Sequence, residues 1–143
     1  MDPISRGRLC APWLLSLLVT ACALVSHYDP TSYQNATYLK AEALLVIEKA
    51  KDPPGKHAAA IEALRVRLLQ AYEYERGKAK PNRATVEQWR LLIDPEAALL
   101  GGFLKKWRDE NKGQSDAFLK GVARNVSDAF DEVIKLENTK VKN

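Results

Sequence analysis

Cysteine and histidine are nearly absent from this sequence, with two of each in 143 residues. No His–His or Cys–His pair stands at metal-ligand spacing, so His27 and His57 read as solvated side chains and no metal is expected. The G-x-S-x-G elbow, the phosphate-binding P-loop and the Gly-rich dinucleotide fingerprint are also missing, so no cofactor or catalytic residue is expected. The chain has no long tract of one charge sign and no low-complexity tract. Its 22 Lys and Arg face 18 Asp and Glu, a formal net charge of +4. That is too balanced for a dedicated nucleic-acid binder. The adjacent acids Asp109-Glu110 and Asp131-Glu132 would point apart on a helix, and Glu73 and Glu75, flanking Tyr74, read as solvated surface. Asn35-Ala36-Thr37 and Asn125-Val126-Ser127 match the glycosylation acceptor pattern but fall inside expected helices.

What the chain does have is a patterned N-terminus. Arg6 and Arg8 precede an apolar run from Leu9 to Val19, the order of a secretory signal. The run ends in Val19-Thr20-Ala21-Cys22. This motif resembles the lipobox of bacterial lipoproteins: an aliphatic residue, a small residue, Ala or Gly, then cysteine. Small residues before the cut suit the protease, and the thiol must be reachable at the bilayer surface for diacylglyceryl transfer. The resemblance covers only the first 22 or so residues. It implies cleavage before Cys22, acylation of Cys22, and a membrane attachment through those acyl chains. Ala23, in place of an aspartate after the cysteine, leans toward the outer rather than the inner membrane.

Three other readings compete for the same stretch. Leu9 to Val25 spans 17 residues, the lower edge of a membrane-crossing helix, although Pro12, Ser16 and Thr20 weaken it. Ala21-Cys22-Ala23 also fits an ordinary signal cut after Ala23. A buried helix of the soluble fold is the third. The lipobox, the retained helix and the ordinary signal share one topology, with the arginines on the cytoplasmic side and the rest of the chain outside the cytoplasm.

Removal of a signal would take Cys10 with it, and Cys22 would be acylated. The mature domain would then hold no disulfide, as suits an oxidising compartment, and must be stabilised by packing. The expected organisation is therefore a signal peptide over 1–21, a lipidated cysteine and tether over 22–30, and a helical domain over 31–143.

Beyond the tether, hydrophobic periodicity predicts an all-α antiparallel bundle of about four helices. The first runs from about Ser32 to Lys51, with Thr31 or Ser32 as N-cap, and stops at Asp52-Pro53-Pro54-Gly55. The second runs from about His57 to Glu75. The third opens on a capping-box pattern, Thr85 with Gln88 three residues later. Asp94-Pro95 then either kinks it or starts a new helix. The fourth begins near Ser115, and Glu137 to Asn143 reads as a fraying polar tail. No segment reads as a strand.

Two features carry candidate contacts. Arg76, Lys78, Lys80 and Arg83 form a basic loop, suited to anionic lipid headgroups or an acidic partner, or simply solvated. Trp89 and Trp107 share one helical stripe and would either fill the core or line a pocket. Tyr28, Tyr33 and Tyr38 do not share a face; they would pack, or meet a membrane interface or a partner. Together these features favour a non-enzymatic envelope lipoprotein whose bundle binds a protein partner or supports an envelope assembly. Alternatives are a periplasmic small-molecule or lipid binder with a cavity near the tryptophans, and an inhibitor or immunity-type lipoprotein with an exposed patch.

Overall fold

The structure, a computed structural model, describes residues 27–78 and 80–142. Residues 19–22, which carry the lipobox resemblance, lie outside the described residues. Among the described residues the fold is all-α, with five α-helices and no strand. No helix among them is long and apolar enough to cross a membrane.

Helix α1 spans Pro30–Lys49. Its N-cap is Asp29 rather than Thr31 or Ser32. The Asp29 carboxylate accepts from Thr31 N at 2.8 Å, and Pro30 sits at the first helical position, where a missing N–H costs nothing. Ala36, Leu39, Ala43, Val46 and Ile47 form the buried stripe. A 3₁₀ turn over Pro54–His57 reverses the chain. Helix α2, Ala58–Arg76, then buries Ile61, Leu64, Leu68, Ala71 and Glu75. Steps of three and four residues, repeated along the stripes of α1 and α2, suit helices crossing at about 20° in a four-helix bundle.

The third rod of the bundle is broken. Helix α3 covers Arg83–Ile93 and helix α4 covers Leu100–Glu110. Pro95 cannot supply the next backbone donor, and the Asp94 side chain accepts from Glu96 N at 2.9 Å, turning the chain. Asp94-Pro95 thus separates two helices. The restart is tight. A Cβ at Gly102 would lie 1.9 Å from the Ala97 carbonyl oxygen, and one at Gly101 would lie 2.3 Å from that of Ile93. Only glycine lets α4 sit so close to the break. The expected capping box is not formed: α3 already begins at Arg83, so Thr85 lies within it, buried. Helix α4 ends at Asn111, whose φ of 48° is the left-handed cap that asparagine tolerates.

Helix α5, Asp116–Thr139, starts as its sequence indicates, with Ser115 Oγ accepting from Phe118 N at 3.3 Å. Its described tail, expected to fray, is tied to the bundle. Glu137 is fully buried, and Tyr28 N donates to the Val141 carbonyl at 2.9 Å. The start and end of the described chain are thereby joined.

The helices close a ring in which α1 packs on α2 and α5, and α3 packs on the same two neighbours. Leu64, Trp89, Leu92, Leu100, Trp107 and Phe130 fill its centre. The ring has two unlike ends. The entry end gathers residues 27–30, 76–78, 80–83 and 139–142. The far end gathers the 50–57 turn and the 110–115 connection, where Gln114 N donates to the Ala50 carbonyl at 2.8 Å. Helix α4 sits in the far half and touches α5 only lightly.

Candidate functional site

The entry end contains a buried polar network. Glu75 is 1% exposed and occupies the position four residues after Ala71 on the inner face of α2. Its carboxylate accepts from Asn82 Nδ2 at 2.7 Å and from Lys78 Nζ at 3.1 Å, and also from Ser32 Oγ. Asn82 passes the connection on, accepting from Lys140 Nζ at 2.7 Å. Lys140 in turn pairs with Glu137 three residues before it. Thr85 Oγ1 donates to the same Glu137 oxygen at 3.3 Å, leaving Oε2 without a partner among the described residues. Side chains from α1, α2, α3 and α5 are thus tied together at one end. Buried charge is expensive unless paired and hydrogen-bonded, and here the pairing is internal.

Asp29 closes the outer edge of this network. Its carboxylate accepts from Tyr74 Oη at 2.7 Å and pairs with Lys78 Nζ at 2.8 Å, besides capping α1. Burial pushes the Asp29 carboxyl up, but the bonds from Lys78, Tyr74 and Thr31 outweigh it and hold it well below the usual carboxylate range. The bond to Asp29 in turn raises the Tyr74 hydroxyl. A depressed folded value means that Asp29 stabilises the fold above its unfolded value of about 3.9. That contribution fades as pH falls below it toward the folded value. Asp29→Ala is expected to lose about 1–2 kcal/mol at neutral pH, the worth of an N-cap. Urea unfolding near neutral pH and again near about pH 2 checks the sign, because the gap between variant and wild type should shrink in acid.

The candidate contact loop is therefore not a row of four free cations. Lys78 turns inward to Asp29 and Glu75, and Arg76 pairs with Glu73 at 2.6 Å. Arg83 is exposed. The side chain of Lys80 and all of Cys22 lie outside the described residues.

Trp89 and Trp107 are both in the core. Trp89 meets Phe130 edge-on with ring centroids 5.9 Å apart. Trp107 stacks on Phe103 at 6.0 Å, and its indole N–H donates to the Asp52 carbonyl at 3.0 Å. Their common stripe is split between α3 and α4. His57, expected to be solvated, is half-buried: it packs beside Trp107 and faces Asp52 at 3.3 Å.

A broad concavity lies elsewhere, where α4 fails to close on α5. This open groove of about 630 Å³ runs over Leu99, Gly102, Phe103, Phe118, Val122 and Val126. Phe118 is 36% exposed, and Lys106 Nζ stands 5.4 Å from its ring centroid. Pro95 and the two glycines make the groove, since a continuous third helix would leave no such step. The arrangement offers an apolar floor with polar edges, and it offers no convergent acid, base and nucleophile. No group of three or more His, Cys, Asp or Glu side chains placed to hold a metal occurs among the described residues.

Periodicity alone marks some of what a residue-type search passes over. Glu75 and Glu137 read as surface and tail, yet each lies four residues beyond a buried apolar residue on its own stripe. A carboxylate in phase with the core is the signal of a buried network. No family model, curated protein or solved structure matches this chain.

Proposed function

We propose that this protein is a lipid-anchored envelope lipoprotein, held through Cys22, whose helical domain binds a protein partner. The observation that carries the reading is the polarity of the molecule. The chain enters the bundle at the end that holds the basic loop, and the open apolar groove lies in the opposite half. Helix α5 rises about 20 Å between the entry end at Thr139 and the groove at Val126, at 1.5 Å per residue. An anchor at Cys22 would confine the domain to a surface and raise its effective concentration toward partners there. The groove, with Phe118 at its rim, would face away from that surface and receive one of them.

The experiment is site-directed photocrosslinking in intact cell envelopes. A crosslinking residue at Asn125, on the groove edge, is expected to give one discrete protein adduct. The same residue at Glu62, exposed on α2, should give none. Equal, diffuse labelling from both sites would contradict a dedicated partner face.

A second reading is supported by the groove's size. A volume of about 630 Å³ is within the range of small-molecule sites, and its floor is largely apolar. On that reading the groove takes an apolar small molecule, and Asn125 gives no protein adduct while a photoreactive fatty acid labels Phe118 and Val122.

A further inference from the structure

We infer that the entry end of the bundle is a membrane-surface face that takes anionic phospholipid headgroups. The inference rests on acylation at Cys22 and adds an orientation to it. Three segments distant in sequence meet at this end. Tyr28 N bonds the Val141 carbonyl, Lys78 bridges back to Asp29, and Lys140 reaches Asn82. Cys22 stands five residues before His27, so even a fully extended chain separates them by no more than about 18 Å. The far end is another 30 Å or so away, the length of α1. An acylated Cys22 therefore brings the bilayer to this end and leaves the far end out of its reach.

The chemistry of the face matches anionic headgroups. Lys78 and Lys140 are turned into the network, and Arg76, Arg83 and Lys142 stand exposed on these segments. The acids at this end are already engaged. Glu75 and Asp29 hold Lys78, Glu137 holds Lys140, and Glu73 holds Arg76. Arg83 and Lys142 are exposed and form no ion pair with a carboxylate among the described residues. Beside them stand amphipathic rings: Tyr74, 42% exposed, and Tyr28, which carries Lys142 Nζ at 5.1 Å from its centroid. Tyrosines with lysine or arginine beside them are the residue set of a membrane–water interface. The buried network behind the face keeps its own carboxylates turned inward, so the outer surface is left positive. Each basic residue near an anionic surface strengthens association by about fivefold, within a Debye length.

The test uses the full-length, acylated protein in nanodiscs of phosphatidylcholine alone and of an equal mixture with phosphatidylglycerol. Amide hydrogen exchange is read over 76–84 and 138–142. Exchange at these segments is expected to slow by at least about fivefold in the anionic discs. High salt, or Arg83→Glu with Lys142→Glu, should abolish the difference while leaving the α1 and α5 amides unchanged. Equal exchange in both discs, with the protein still retained by its acyl chains, would overturn the inference and leave the anchor intact. Protection in native envelopes but in neither disc would also overturn it and assign the face to an acidic protein. A chain carrying no acyl group at Cys22 would remove the premise and overturn both.

Discussion

Lys140→Met is expected to lower the stability of the domain by about 3–5 kcal/mol at neutral pH. The side chain of Lys140 is only 8% exposed and that of its partner Glu137 is fully buried. Removing the cation leaves a carboxylate with one hydroxyl donor, Thr85 Oγ1 at 3.3 Å, and no counter-charge. Asn82 loses its donor at the same time, and with it the link from Glu137 to Glu75. Against a total of about 5–15 kcal/mol for a domain of this kind, the loss is severe. It should lower the melting temperature by on the order of 10 °C. Lys140→Met combined with Glu137→Leu should recover most of it, because an apolar pair of similar volume avoids the desolvation of both charges. Thermal or urea unfolding of the two single variants and the double variant measures the coupling directly. A single-variant loss below about 1 kcal/mol would mean that the pair behaves as a surface ion pair.

The same residues show what periodicity can and cannot deliver. Ile61, Leu64, Leu68 and Ala71 mark the inner face of α2 in the sequence, and all four are buried. Phe130 and Val133 do the same for α5. The all-α bundle follows from such stripes. The pairing of Glu75 with Ser32, and of Lys140 with Asn82, does not, because it depends on which helix ends meet. The N-cap illustrates a local competition. Thr31, Ser32 and Asp29 are all good capping residues, and the choice falls to Asp29 because Pro30 fits the first helical position and Lys78 and Tyr74 hold the carboxylate. At Thr85 the outcome reverses for a tertiary reason. Its hydroxyl finds Glu137 across the bundle, so helix α3 starts earlier at Arg83. The groove was legible only in its cause, the Asp94-Pro95 break and the glycines after it. Its lining depends on how far α4 stands from α5, and so Phe103 and Phe118 line it while Trp89 and Trp107 fill the core.

The polar tail marks the boundary between the fold and the proposed anchor. Residues 27–30 belong to the bundle: His27 and Val141 form a bridge, and Asp29 caps α1. If Cys22 is acylated, only residues 23–26 separate the lipid from the folded domain. The bundle would then sit directly on the membrane surface instead of swinging on a long tether.

Cys22→Ser should have the largest effect of any single change on where the protein resides. Two or more acyl chains hold a protein stably to a bilayer, whereas one gives only marginal binding. Losing the thiol removes the acceptor for the diacylglyceryl group, which carries two of them, and with it the processing that the lipobox pattern implies. The domain itself should be unaffected, since no described residue depends on a disulfide. The decisive measurement is metabolic labelling with a palmitate analogue in the native host, for wild type and Cys22→Ser side by side. Lipid attachment at Cys22 predicts a labelled wild type in the membrane fraction and an unlabelled variant. Label that persists in Cys22→Ser, or is absent from the wild type, would contradict it.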